Sequence, residues 1–174
     1  EVKENGMGVW LTPALNIHRS PLCGRNFEYY SEDPVVSGKM AAAMVRGIQS
    51  QKIIATPKHF ACNNKETNRE QSNSVLSERA LREIYIKGFE ICLKESDPKL
   101  IMTAYNIVNN VRSSESVELI TGILRGEWGY KGLVTSDWDN FAEKSAEVRA
   151  GNDIRMPSMA IDRKNRYIDT ISVK

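Results

Sequence analysis

Short apolar runs alternate along this chain with segments whose apolar residues recur every three or four positions. That alternation restricts the fold more than any other feature. Gly8-Val9-Trp10-Leu11-Thr12-Pro13-Ala14-Leu15 reads as a strand running into a loop, with its strand part near residues 8–13. Ile53-Ile54-Ala55-Thr56 reads as a second strand, Leu100-Ile101-Met102-Thr103-Ala104-Tyr105 as a third and Gly132-Leu133-Val134-Thr135-Ser136 as a fourth. Asn152-Asp153-Ile154-Arg155-Met156, just before Pro157, gives a fifth. Strands separated by amphipathic helices argue for an α/β fold, about five parallel strands with outer helices. Their nearly all-apolar character fits strands buried on both faces. A doubly wound sheet and a (β/α)8 barrel both satisfy the pattern. No Gly-x-Gly-x-x-Gly follows the first strand, which weakens the dinucleotide-binding version. A complete barrel has eight strands over roughly 250 residues, so a barrel reading makes these 174 residues part of one.

The helices carry their own punctuation. Asp33-Pro34 is an N-cap followed by proline at the first helical position, and Val36, Met40, Ala43, Met44, Gly47 and Ile48 follow on one expected face. Ser77 caps a long helix with Leu81, Ile84, Tyr85, Gly88, Ile91 and Cys92 on its face. Ser116 opens another, with Leu119, Ile120, Ile123, Leu124 and Trp128.

Composition narrows the function. The longest apolar run, Met40 to Val45, is far short of the roughly twenty residues that a membrane helix needs. The 24 Lys+Arg offset the 22 Asp+Glu to leave +2, with signs interspersed, so neither nucleic acid nor an anionic membrane is expected as a partner. Cys23, Cys62 and Cys92 show no Cys-x-x-Cys spacing, and neither a metal site nor a cofactor is expected. An odd number of scattered thiols suits a reducing compartment, and a cytoplasmic location is the expectation.

In parallel architectures, ligands bind beyond the carboxyl ends of the strands. Pro57 is expected to mark the end of pairing in the second strand, which puts Lys58 and His59 on the rim. Tyr105-Asn106 follow the third strand and Asp137-Trp138-Asp139 the fourth. Each has a plainer reading: a surface ammonium, a satisfied core histidine, a strand aromatic, a helix cap. Arg25 and Glu28, near Tyr29 and Tyr30, can form a simple loop salt bridge. Joint placement at successive strand ends favours a site for a sugar or polyol. A barrel aldolase with Lys58 as Schiff base is the rival chemistry. A sugar-binding module without turnover is the rival outside catalysis.

Several strings together resemble glycoside hydrolase family 3, in particular its bacterial β-glucosidases, from about Gly8 to Pro157. Gly24 through Pro34 is similar to the family's arginine loop. Lys58-His59-Phe60 followed by Asn63 through Arg69 is similar to its lysine–histidine segment. Thr103-Ala104-Tyr105-Asn106 resembles its tyrosine strand, and Glu127 through Gly132 leading to Ser136-Asp137-Trp138 its nucleophile signature. Ala150-Gly151-Asn152-Asp153 and Met156-Pro157 resemble the segment beyond. The resemblance implies an incomplete (β/α)8 TIM-like barrel domain over residues 1–174, with 158–174 a poorly matched tail.

The resemblance also implies roles. Asp137 is the implied nucleophile of a retaining, exo-acting β-glucosidase. Arg25, Lys58 and His59 are implied to bind sugar hydroxyls, and Arg69 to contribute nearby. Tyr105 would lie against the nucleophile and Trp138 beside the ring. A β-xylosidase or arabinofuranosidase of the same family is the alternative. Asn110 stands where the family usually has glycine, and asparagine tolerates the left-handed turn. Ala61-Cys62-Asn63-Asn64 replaces the Pro-Gly-His-Gly of the N-acetylglucosaminidase branch. The implied acid/base is therefore a glutamate from a second, downstream domain. A further sugar-binding aspartate of the family has no match here. The implied partners are a β-glucoside or short oligosaccharide and the remaining segments of the same enzyme, and the chain by itself is not expected to hydrolyse cellobiose.

Overall fold

The computed structural model describes residues 1–157; the tail at 158–174, with its expected poor match, lies outside the described residues. Strand β1 (Val9–Trp10) pairs in parallel with β2 (Ile54–Ala55), Val9 opposite Ile54. A second parallel pair joins β4 (Leu100–Met102) to β7 (Leu133–Thr135), Leu100 opposite Leu133. Single parallel bridges at Ala14–Lys58, Phe60–Thr103 and Thr135–Ile154 stitch these pairs into one curved layer in chain order. The expected fifth strand is thus reduced to one bridge at Ile154.

Pro57 does not end pairing, contrary to the sequence expectation. Proline removes only its own donor: its carbonyl still accepts from Met102 N–H at 3.0 Å. The ladder resumes where Phe60 N–H donates to the Met102 carbonyl at 2.8 Å. Lys58 and His59 therefore sit within the last paired residues, held more rigidly than rim residues would be.

Helix α1 (Pro34–Ser50) starts as its sequence implies, with the Asp33 carboxylate accepting from Val35 N–H at 2.7 Å. Its buried face is different from the expected one. Ser37, Gly38, Ala41, Ala42, Val45 and Ile48 face inward, whereas Val36 and Met40 stay 47% and 52% exposed. The reason is a close helix crossing. A Cβ on Gly38 would lie 2.8 Å from the Gly88 carbonyl oxygen, so only a small-residue stripe lets the two backbones meet.

Ser77 caps α2 (Glu78–Ala80) by accepting from Ala80 N–H. A wide turn, Leu81–Tyr85, then leads into α3 (Lys87–Ser96), with Ile86 N–H bonding the carbonyl five residues back at Leu81. The extra residue rotates the face. Leu81, Ile86, Gly88, Phe89 and Cys92 are buried, and the expected Ile84 is exposed. The helix after Ser116, Glu118–Glu127, is also wide-wound and buries the expected Leu119, Ile120, Ile123 and Leu124. Helix α4 (Lys144–Ala150) has no counterpart in the sequence reading. No described helix is long and apolar enough to cross a membrane.

A second, small sheet was not foreseen: β3 (Asn73–Ser74) lies parallel to β5 (Ile107–Val108), which pairs antiparallel with β6 (Val111–Arg112). The β5–β6 turn puts Asn109 and Asn110 at φ 47° and 72°. This is the left-handed backbone that asparagine tolerates where glycine is usual.

The Gly38–Gly88 crossing yields a test. Gly38→Ala should destabilise by roughly 1–3 kcal/mol, because backbone must move to admit the methyl group. Gly47→Ala, on the same helix with nothing within 4 Å of the added Cβ, should stabilise by about 0.5–1 kcal/mol. Denaturant melts of the two variants check this, and equal midpoints would contradict it.

Candidate active site

The residues closing the paired strands meet in one cluster. Asn16, just past the first strand, grips His59. Its side-chain oxygen accepts from His59 N–H at 2.9 Å, and its amide donates to the His59 carbonyl at 2.9 Å. The same oxygen faces His59 Nδ1 at 3.3 Å. An oxygen acting only as acceptor there requires Nδ1 to carry the proton, so Nε2 is left as an acceptor. His59 is 1% exposed. Burial, followed by the nearby Arg25, Lys58 and Arg69 charges, holds it well below the usual histidine range. It is a neutral imidazole whose Nε2 stands 3.6 Å from Asp137 Oδ2.

Asp137 lies two residues beyond the end of β7 and is 8% exposed. Oδ1 accepts from Trp138 N–H at 2.8 Å. Oδ2 is buried and has no hydrogen-bond partner among the described residues. Burial raises the carboxyl above its usual range, opposed by the Trp138 N–H, Arg25, the Tyr105 hydroxyl and Arg69. Tyr105 is itself pushed up, by burial first and then by Asp137, which keeps its phenol a donor. A buried carboxylate oxygen without a partner, in a cluster with Arg25, Lys58, Arg69 and Tyr105, is poised for chemistry rather than structure.

The cations are themselves held by carboxylates. Glu28 pairs with Arg25 through one oxygen and stands 3.7 Å from Lys58 Nζ through the other. Burial lowers the Lys58 ammonium, and Glu28 is the main opposing influence. Glu66 takes Arg69 at 2.9 Å and accepts from the Asn63 amide at 3.2 Å. The Arg69 guanidinium lies over the Tyr105 ring, 4.3 Å from its centroid. The small sheet explains that stacking. It ties β3, which follows the Arg69 turn, to β5, which follows Tyr105. Arg112 adds a clamp, donating to the carbonyls of Tyr105 and Glu70, each at 2.8 Å.

The structure thus gathers Arg25, Lys58, His59, Arg69, Tyr105 and Asp137. Trp138 joins through its backbone, with its side chain partly exposed. The Arg25–Glu28 bridge expected as a plain loop contact is real, and the same carboxylate also serves Lys58. Asn16 escaped the sequence reading although it obeys the rule that found the others, a polar residue just past an apolar strand. Glu66 and Asn63 gave no such signal, since they lie in an irregular loop. Among the described residues no group of His, Cys, Asp and Glu is arranged to hold a metal ion.

This arrangement also has known counterparts. The profile described as "Glycosyl hydrolase family 3 N terminal domain" matches residues 1–160. The chain belongs to this family. Over all 174 residues it is 68% identical to β-glucosidase A of Butyrivibrio fibrisolvens, covering 21% of that protein. β-Glucosidase B of Emericella nidulans is 49% identical over 94% of the chain. Among solved structures, Thermotoga neapolitana β-glucosidase 3B in complex with glucose superposes with a TM-score of 0.90 at 51% identity, over 97% of this chain and 23% of that one. A Bifidobacterium adolescentis β-glucosidase gives 0.89 at 40% identity, over 99% of this chain and 26% of that one. The chain therefore spans about a fifth of the length of the curated relatives it matches. Its parallel strands with outer helices form part of a (β/α)8 barrel, as the family and these neighbours have it, and the doubly wound alternative falls away.

The electrostatics set a sign for stability. The raised Asp137 carboxyl favours folding below its unfolded value of about 3.9 and opposes it as pH rises through the folded value. Asp137→Asn should therefore raise the unfolding free energy near neutral pH. The gain should shrink as pH falls toward about 4. Thermal melts across pH check this, and a lowered midpoint at pH 7 would contradict it.

Proposed function

We propose that this segment supplies the nucleophile and most of the glycone subsite of a retaining β-glucosidase acting on the non-reducing end of its substrate. The observation that carries this reading is the buried, unpartnered Asp137 Oδ2 beside Arg25, Lys58, Arg69 and neutral His59. A pyranose ring presents several hydroxyls at once. Hydrogen bonds to charged groups contribute about 1.5–3 kcal/mol each, so four or five hold one ring tightly. Lys58, Arg25 and Arg69 donate to ring hydroxyls in this reading, and His59 Nε2 accepts from one. The Trp138 indole flanks the ring. That the relatives are β-glucosidases, one of them bound to glucose, supports glucose as glycone.

In the first step Asp137 Oδ2 attacks the anomeric carbon as the bond to the leaving oxygen breaks, giving a glycosyl ester. The leaving oxygen takes a proton from a carboxylic acid. Glu28 and Glu66 are committed to the site cations, and the family resemblance implies that this acid is a glutamate in a further part of the polypeptide. Water then gives its proton to that carboxylate and attacks the same carbon. The ester carbon–oxygen bond breaks and Asp137 is restored, with net retention. The remaining segments of the enzyme and a β-glucoside are the proposed partners. A reducing, cytoplasmic setting is proposed with them, in keeping with three buried free thiols.

Nucleophile removal tests the reading. In the full-length polypeptide, Asp137→Gly should lower turnover of an aryl β-glucoside by a thousandfold or more, which is several kcal/mol of activation energy. Added azide should restore part of the rate and yield the α-glucosyl azide, since the small anion enters the face that Asp137 vacates. Undiminished turnover, or a β-configured azide product, would contradict the assignment.

A further inference from the structure

Beyond the residues assigned to the sugar, an ion pair between a buried carboxylate and a half-buried guanidinium grips the loop on which Asp137 and Trp138 sit. Glu147 on α4 is 2% exposed and pairs with Arg155, which follows the bridge residue Ile154. Neither takes part in the proposed reaction. Arg155 also donates from Nη2 to the Asn140 carbonyl at 3.0 Å and from Nη1 to the Ala142 carbonyl at 3.1 Å. Glu147 accepts in turn from the Asn140 side-chain amide, and the Asn140 oxygen accepts from Ala142 N–H at 2.7 Å. The loop is thus held at two carbonyls and one side chain within five residues of Asp137.

We propose that Glu147 and Arg155 are positioning residues that hold the 138–142 loop, and through it the Asp137 carboxylate and the Trp138 backbone, in reactive geometry; this rests on the reading of Asp137 as nucleophile. The physical case is one of economy. A buried pair of charges gives little net stability compared with apolar residues of similar volume. What the pair supplies instead is its hydrogen bonds. A planar guanidinium reaches two carbonyls and a carboxylate at once, which neither a lysine nor an apolar side chain reproduces. The Trp138 N–H that orients Oδ1 is the first backbone group of the gripped loop. A small displacement there moves the attacking oxygen, and a misplacement of about 1 Å can cost on the order of a hundredfold in rate.

The test uses the full-length polypeptide. Arg155→Lys keeps a cation beside Glu147 but loses the fork. The double variant Glu147→Gln/Arg155→Met removes both charges, so it avoids an uncompensated buried ion and keeps the fold. The rate per active site, counted by titration with a slow fluoroglucoside, should fall roughly 10- to 100-fold in both variants. KM should change by less than about threefold, because Arg25, Lys58, His59 and Arg69, which bind the ring hydroxyls in this reading, lie outside the loosened loop. Amide hydrogen exchange over residues 138–142 should quicken in both. Wild-type rates per site together with unchanged exchange would overturn the proposal. Recovery of wild-type turnover in the double variant would do so too, since it would reduce the pair to charge balance. Faster exchange in a protein whose wild type hydrolyses no β-glucoside would uphold the loop grip and sink the glycosidase reading instead.

Discussion

Burying a carboxylate while leaving one of its oxygens without a partner is the costly act around which this molecule is arranged. Burial pushes Asp137 toward its neutral form, and the proposed attack on an anomeric carbon needs it charged. The compensation comes from Arg25, Lys58 and Arg69, each of which brings its own desolvation cost. Glu28 and Glu66 then hold those cations. The three positive side chains are matched by three carboxylates, with His59 neutral among them. The site as a whole therefore carries little net charge although its individual groups are strongly polar. That is in keeping with the proposed ligand, which is itself neutral and rich in hydroxyls.

Such a network functions only if its members come from rigid supports. Lys58 and His59 are fixed because strand pairing continues beyond Pro57. Asn16 locks the His59 backbone and sets its tautomer. Tyr105 and Arg69 are stacked because the small sheet ties their loops together. Asp137 depends on β7 on one side and on the Arg155 grip on the other. These supports come from widely separated parts of the sequence, and the parallel strand order is what makes them converge.

Much of this was legible before any coordinates. The strand–helix alternation gave the sheet, because fully buried strands leave uninterrupted apolar runs. Polar residues just past those runs gave most of the site. The failures are informative. The inward face of α1 was misjudged because Val36 and Met40 look like core residues. Close approach to α3 instead demands the small Gly38, Ala41 and Ala42. The face of the second helix slipped because a wide turn at Leu81–Tyr85 leaves no mark in an apolar period. The small sheet has strands of two residues, too short to show alternation. The Arg25–Glu28 bridge was legible, but the second contact of Glu28, with Lys58, was not, since a carboxylate that serves a cation far away in the sequence reads as ordinary surface charge. Glu66, Glu147 and Arg155 lie outside the strand ends and carried no signal.

The central claim is that one carboxylate, Asp137, is the atom-bearing group that bonds to the sugar. It is tested most directly by trapping the intermediate. Incubating the full-length polypeptide with an activated 2-deoxy-2-fluoro-β-glucoside should stop turnover and add a single fluoroglucosyl group. Peptide mapping should find that group on Asp137, and added acceptor should release it with return of activity. A label on Asp139, Asp153 or Glu28, or inactivation without any covalent adduct, would contradict the account.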